Sequence, residues 1–229
     1  MPLPMHVRRE PAKRSDLAYE AIKGKLISGA LPGGARLDVN VLVDEIQTSR
    51  QPVLAAISRL AVEGFLRVVP QVGCWVAEVQ AEEVEDFFRL FALTEGLACE
   101  LAAARHEPQQ LAALSDNLAA TLRLLKSKLD AARQSREFFQ LNREFHGLVH
   151  AMARSDFVAQ HAGSMWDRCD FYLASADPHI QGERIDESRR EHEAIVKAIA
   201  AGREKDAGAL MMAHIESFGQ VAVRRLRMR

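Results

Sequence analysis

Three cysteines are all the chain has, and Cys74, Cys99 and Cys169 lie far apart without a Cys-x-x-Cys pair. That excludes a disulfide framework and a thiolate zinc site, and leaves the three thiols as small apolar fillers. Net charge is nearly absent as well: 30 Lys and Arg stand against 31 Asp and Glu, a balance of −1. Residues 1–80 carry 10 basic and 8 acidic side chains, and residues 81–229 carry 20 and 23. Net charge therefore gives no pointer to nucleic acid, and any such case rests on local placement. There is no apolar run long enough to span a bilayer, and no repeat, low-complexity tract or Gly/Ser linker. The opening MPLPMHVRREPAKR has basic residues with no apolar stretch behind them. Residues 1–13 read as an N-terminal arm rather than a signal peptide, and a cytoplasmic protein with no membrane partner is expected.

What is present is an ordinary globular composition, 48% apolar in 229 residues, enough for two domains with their own cores. The stretch from Asp38 to Val76 organises the first, over 14–79. Ser15 is read as the cap of a first helix whose Leu17, Ile22, Leu26 and Ile27 face inward, ended by Gly29 and the turn Leu31-Pro32-Gly33-Gly34. Asp38 caps a second helix over Val39 to Gln47. Ser49 then caps a third from Arg50, with Pro52 tolerated in its first turn. Val53, Ile57, Leu60 and Gly64 recur at helical spacing, which leaves Gln51, Ala55, Ser58 and Arg59 outward. Phe65 to Val69, a turn at Pro70-Gln71-Val72-Gly73 and a return strand from Cys74 to Val79 make a β-hairpin. Three helices and a two-stranded wing form a winged helix-turn-helix, whose third helix has the small polar outer face that a DNA groove admits. A small α+β scaffold with no nucleic acid is the plainer alternative.

The ordered set Leu31-Pro32-Gly33-Gly34, Ser49-Arg50-Gln51-Pro52-Val53, Leu60, Glu63-Gly64 and a hairpin tipped by Gly73 resembles the DNA-binding domain of the GntR regulator family. The resemblance implies a phosphate or guanine contact for Arg50, and Gln51 has the chemistry to bond an adenine edge. Ser49, Ser58, Arg59, Gln71 and Gly73 complete the expected DNA-facing set. The chain departs from the family at Leu54, where arginine is usual, and at Val39-Asn40-Val41, where charged residues are usual.

From Gln80 the strand signals end, and residues 80–229 read as an all-α antiparallel bundle. Helices are expected over Glu82 to His106, Pro108 to about Ala132, from Ser135 or Arg136, about Asp156 to Ala174, Ile185 to Ala201, and Glu204 to the end. Asn142 and His146 are four apart, on one face with about 40° between them. His150 continues that line, and His192 and His214 lie in the last two helices. A bundle can aim such imidazoles at one internal point, where they would ligate a divalent ion; unrelated histidines on partly wet faces are the alternative.

Asn142-Arg143-Glu144-Phe145-His146, Glu191-His192 with Ile195 and Ala198-Ile199, and Ala209, Met212 and His214 look like the FCD effector domain of FadR-type GntR regulators. In members that bind metal, an aspartate and three histidines hold it. The resemblance places that set on Asn142, His146, His192 and His214, with zinc or nickel as the expected ion and Asn142 as a departure, since an amide is a weaker ligand than a carboxylate. Phe91 stands where the family often has arginine. Arg168 and Tyr172, one turn apart, are read as substitutes that could bind a small carboxylate effector, with a surface arginine and a core-rim tyrosine as the plainer alternative. The whole chain is thus expected to be a homodimeric regulator and not an enzyme, a repressor by the family's common pattern, that binds a pseudo-palindromic double-stranded DNA operator and answers to a small organic acid. A metalloenzyme using the histidines and a non-catalytic adaptor are the rival readings.

Overall fold

The computed structural model describes residues 13–229, so the expected N-terminal arm at 1–13 falls almost wholly outside the described residues. The chain divides into two compact units between Glu78 and Val79.

The first unit runs α1 (Arg14–Ile27), β1 (Arg36–Leu37), α2 (Val39–Ile46), α3 (Arg50–Val62), β2 (Leu66–Val69) and β3 (Gly73–Val76). Helix α1 corrects the expected register. It starts after Lys13, one residue before Ser15, and buries Ala18, Tyr19, Ile22 and Leu26, while Leu17 is 57% exposed. The stripe at 18, 22 and 26 is an i, i+4 row, and Leu17 sits about 100° away from it. Asp38 caps α2, its carboxylate accepting from Asn40 N at 2.8 Å. Ser49 occupies the cap position of α3, but its side chain makes no capping hydrogen bond.

Helix α3 ends in a double hydrogen-bonded turn. Gly64, at φ +76°, donates to Ala61 O, and Phe65 N donates to Leu60 O at 2.9 Å. That left-handed residue is nearly free for glycine and strained for others, and it throws the chain directly into β2. The wing is a three-stranded antiparallel sheet in the order β1-β3-β2, not the expected hairpin alone. In it Arg36 faces Trp75 and Leu37 faces Cys74. A two-residue strand has no periodicity to read, so β1 left no pattern in the sequence.

The second unit is helical: α4 (Ala81–Arg105), α5 (Pro108–Leu125), α6 (Ala131–Met152), α7 (Asp156–Ala176), α8 (Ile180–Glu183), α9 (Ile185–Ala200) and α10 (Glu204–Arg227). Helix α5 stops seven residues short of Ala132, and α6 begins earlier than Ser135 because Asp130 caps it, accepting from Arg133 N at 2.8 Å. Helix α8 was not expected. The long pair α4 and α10 packs antiparallel at close range, and glycine makes the approach possible. A Cβ on Gly96 would lie 2.5 Å from Met212 Cγ, and one on Gly219 2.6 Å from Phe88. Phe91, Phe138, Phe145 and Phe171 are fully buried in this unit, and Cys99 and Cys169 are buried fillers among them. No helix among the described residues is long and apolar enough to cross a membrane.

Candidate DNA-binding surface and histidine cavity

In the first unit, α3 buries Val53, Ala56, Ile57 and Leu60 and leaves Arg50, Gln51, Ala55, Ser58 and Arg59 exposed. Its N-terminus, the start of α2 and the wing enclose an open groove of about 620 Å³, lined by Arg36, Asn40, Arg50, Leu54, Gln71 and Gly73 among others. Arg50 Nη1 donates to Asn40 Oδ1 at 2.9 Å. The departure at position 40 therefore puts a neutral acceptor where it steadies Arg50 instead of a charge of its own. At the wing tip Gln71 adopts φ +63° and Gly73 φ +156°, so the turn uses the left-handed region twice.

Two cations at the wing were missed from the sequence. Arg36 donates to Val72 O at 3.2 Å, and both Arg36 and Arg67 lie over the Trp75 ring at 5.9 and 5.2 Å. A basic residue beside a tryptophan on a short strand was the available signal. Arg59 is placed differently from Arg50. Its guanidinium lies 3.7 Å over the Tyr19 ring, is paired with Glu63 at 3.1 Å and has Asp16 3.8 Å away. It thus braces α3 against α1.

In the second unit, His146, His192 and His214 each bring one ring nitrogen within 4.8 Å of the others. All three are buried, at 0%, 1% and 2% exposure. Two carboxylates fix the rings. His146 Nδ1 donates to Glu95 Oε2 at 2.9 Å, and His214 Nδ1 to Glu191 Oε2 at 2.6 Å. That leaves the Nε2 of each ring facing inward. His192 Nε2 and His214 Nε2 are 3.1 Å apart, where two bare lone pairs would repel unless a proton or a cation lies between them. Phe145 stacks on His192 with ring centroids 3.7 Å apart.

Glu95 is the centre of a network that the sequence reading did not find. Fully buried, it also accepts from His150 Nε2 at 2.7 Å and Trp166 Nε1 at 3.0 Å. Burial opposes its charge, but the two histidines outweigh that and hold its carboxyl down to about 2. Burial pushes His146 down to about 4 against the pull of Glu95, and pushes His192 well below the ordinary histidine range with the help of its two neighbouring imidazoles. Both are accordingly neutral at pH 7, the form that ligates metal.

Two buried acceptors at this point have no hydrogen-bond partner: His146 Nε2 and Asn142 Oδ1. A zinc-type ion about 2.0–2.1 Å from each nitrogen would set its ligands roughly 3.3 Å apart, within the spread of this cluster. The residues present therefore fit a cation. Asn142 and His214 also line a small cavity with Phe88, Trp166, Cys169 and Gln181. Its volume is about 10 Å³, close to the room of one water.

Arg168 and Tyr172 are not among the residues that line this cavity. Arg168 lies 5.4 Å over the Tyr172 ring, and the Tyr172 hydroxyl donates to Glu83 at 2.5 Å. The structure thus does not bring that pair to the histidines.

A winged helix with an exposed third helix, followed in the chain by a helical unit that buries three converging histidines, is the arrangement of a transcription regulator with a separate effector domain. The family model for bacterial regulatory proteins of the gntR family matches residues 14–76, and that for the FCD domain matches residues 86–217. The chain belongs to the GntR family of regulators and carries an FCD effector domain; it is a transcriptional regulator, not an enzyme. It is similar to the Nta operon transcriptional regulator of Aminobacter aminovorans, at 26% identity over 82% of this chain and 85% of that one. It is likewise similar to the transcriptional repressor GlaR of Escherichia coli, at 25% over 86% and 90%. Among solved structures, E. coli McbR/YncC superposes with a TM-score of 0.77 at 21% identity, covering 93% of this chain and 99% of that one.

Proposed function

We propose that the chain is a homodimeric, cytoplasmic repressor that binds a pseudo-palindromic DNA operator through Arg50, Gln51, Ser58 and the wing, and whose helical domain senses a small organic acid at a bound divalent cation. The observation that carries this reading is the convergence of three buried imidazoles with two partnerless buried acceptors, His146 Nε2 and Asn142 Oδ1. Asn142, His146, His192 and His214 would hold the ion. When bound, it supplies a positive centre to which an effector carboxylate binds. Glu95 and Glu191 keep the rings turned toward it. The amide of Asn142 adds no charge, so the site stays more electropositive toward an anionic ligand than a carboxylate would leave it.

Repression is supported by the name of the relative GlaR. Dimerisation is supported by Leu90, Leu93 and Leu97, which are 59%, 58% and 46% exposed on α4 and form an apolar stripe that a second copy would cover. Effector binding acts on DNA by favouring one arrangement of the two winged domains, and can shift that equilibrium only by its differential affinity for the two.

Two measurements test this. Zinc or nickel should copurify with untagged protein, be detected by elemental analysis, and vanish in His192→Ala; a wild type that stays empty after incubation with either ion removes the metal from the proposal. Binding to the chain's own upstream DNA should weaken by about 1–3 kcal/mol in Arg50→Ala, or roughly 5- to 150-fold in dissociation constant. Asn40→Ala should show a smaller loss, because it frees Arg50 without removing it. Equal affinity of Arg50→Ala and wild type would show that the groove is not the DNA surface.

A further inference from the structure

The outer face of α3 has an apolar middle. Arg50, Leu54 and Ser58 form an i, i+4 row along it, with Gln51 and Ala55 beside them. From Pro52 to Ile57 the chain has no polar side chain. Val53, Ala56 and Ile57 of that run turn into the core, while Ala55 is exposed and Leu54 half-buried. Between Gln51 and Ser58 this helix therefore offers a partner carbon and no hydrogen-bonding side chain.

Leu54 lines the groove between α3, the start of α2 and the wing, together with Asn40, Arg50 and Gln71. Arg50, one turn away in the same row, has its Nη1 tied to Asn40 Oδ1 on α2. On the wing side Val68 and Val72, 45% and 58% exposed, add further apolar surface to the groove. Arg36 and Arg50 line it as well, and its acid, Asp38, is taken up in capping α2. An occupant suited to this surface is anionic and also presents an apolar group to Leu54.

Double-stranded DNA does both. In the major groove every base edge offers donors or acceptors, and thymine alone adds an apolar group, its C5 methyl. A guanine or adenine edge set against Leu54 would lose its water and gain no partner. A thymine methyl in the same place leaves water for carbon, which is favourable.

We propose that Leu54 is a base-reading residue, which selects a thymine in the operator by packing on its C5 methyl. This rests on the assignment of the groove as the DNA surface given above.

The test starts with the full chain selecting duplexes from a randomised DNA library. Dissociation constants are then measured by fluorescence anisotropy for the selected duplex and for copies in which each thymine in turn is replaced by deoxyuracil. Uracil pairs as thymine does and lacks only the methyl. At one thymine the replacement is expected to weaken binding by wild type about fourfold, the scale of one buried methyl group. In Leu54→Ala the same replacement should cost less than about twofold. Leu54→Gln, close to leucine in size but polar at its end, should lose the penalty too, so a failure of either variant to melt cooperatively leaves the other to decide. A role for Leu54 in packing alone would weaken binding to the thymine and uracil duplexes alike and keep their ratio at the wild-type value. That pattern overturns the inference, as does a scan in which no replacement costs wild type more than about twofold. The groove reading still stands in either case if Arg50→Ala binds the selected duplex more weakly than wild type does. Equal binding by Arg50→Ala, or no duplex selected at all, overturns both.

Discussion

Glu95→Ala is expected to lower the unfolding free energy by about 3–5 kcal/mol, a large share of the 5–15 kcal/mol typical of a domain. The wild-type carboxylate is fully buried and accepts from His146 Nδ1, His150 Nε2 and Trp166 Nε1 at 2.9, 2.7 and 3.0 Å. Truncation leaves three buried N–H donors facing a void, each worth roughly 1–3 kcal/mol when unpaired, partly offset by the lost burden of a buried charge. Glu95→Gln separates structure from function. The amide fills the space and still offers one acceptor, so its destabilisation should be smaller. It also presents an NH₂ toward a donor, and no longer fixes His146 with its proton on Nδ1 and its lone pair on Nε2. Metal affinity is then expected to fall by about 10- to 100-fold, as for other carboxylates that orient ligating histidines. Urea denaturation and competitive metal titration of the two variants check both parts. A Glu95→Gln protein with wild-type metal affinity would show that Glu95 only fills space.

Glu95 also marks where the sequence stops being legible. The winged unit could be read because its signals are local: Asp38 beside its own helix, Pro52 inside a first turn, Gly64 at a left-handed turn, and apolar residues at fixed periods. Boundaries failed where one local signal competed with another, as when leucine periodicity ran on through Lys126 and Ser127 and hid the cap at Asp130. Strand β1 and helix α8 are two and four residues long and carry no period at all. The histidines were identifiable as residues on inward faces. What holds them was not, because His146 and Glu95 are 51 positions apart, and His214 and Glu191 are 23 apart. One hint was present: Glu95 is a lone carboxylate among Ala92, Gly96, Ala98 and Cys99, on a helix face with nothing else polar. A carboxylate there must find buried donors. The opposite lesson comes from Arg59, which faces outward as expected and yet is bound up with Tyr19 and Glu63 of its own domain. Exposure on a helix face does not say what a side chain is for.

Asp170 gives the second large effect, and its sign depends on pH. Burial pushes its carboxyl from the ordinary 3.8 up to about 7, with Arg143 and the Gln181 amide pulling the other way. The unfolded chain releases this proton near pH 4 and the folded chain near pH 7. Between those values the native state binds more protons than the unfolded state, so this group's contribution to stability falls as pH rises, by about 1.4 kcal/mol per unit. Asp170→Asn has no proton to release. The difference in unfolding free energy between variant and wild type should therefore move in the variant's favour by about 2 kcal/mol from pH 5 to pH 7, and then level off. His146 and His192 act oppositely in the same range, because their depressed values cost the native state stability as pH falls below the ordinary histidine range. That loss is shared by both proteins and cancels in the comparison. Denaturant unfolding at half-unit steps between pH 5 and pH 8 measures the difference, and one that stays constant across the series would mean that Asp170 is ionised in the folded protein throughout.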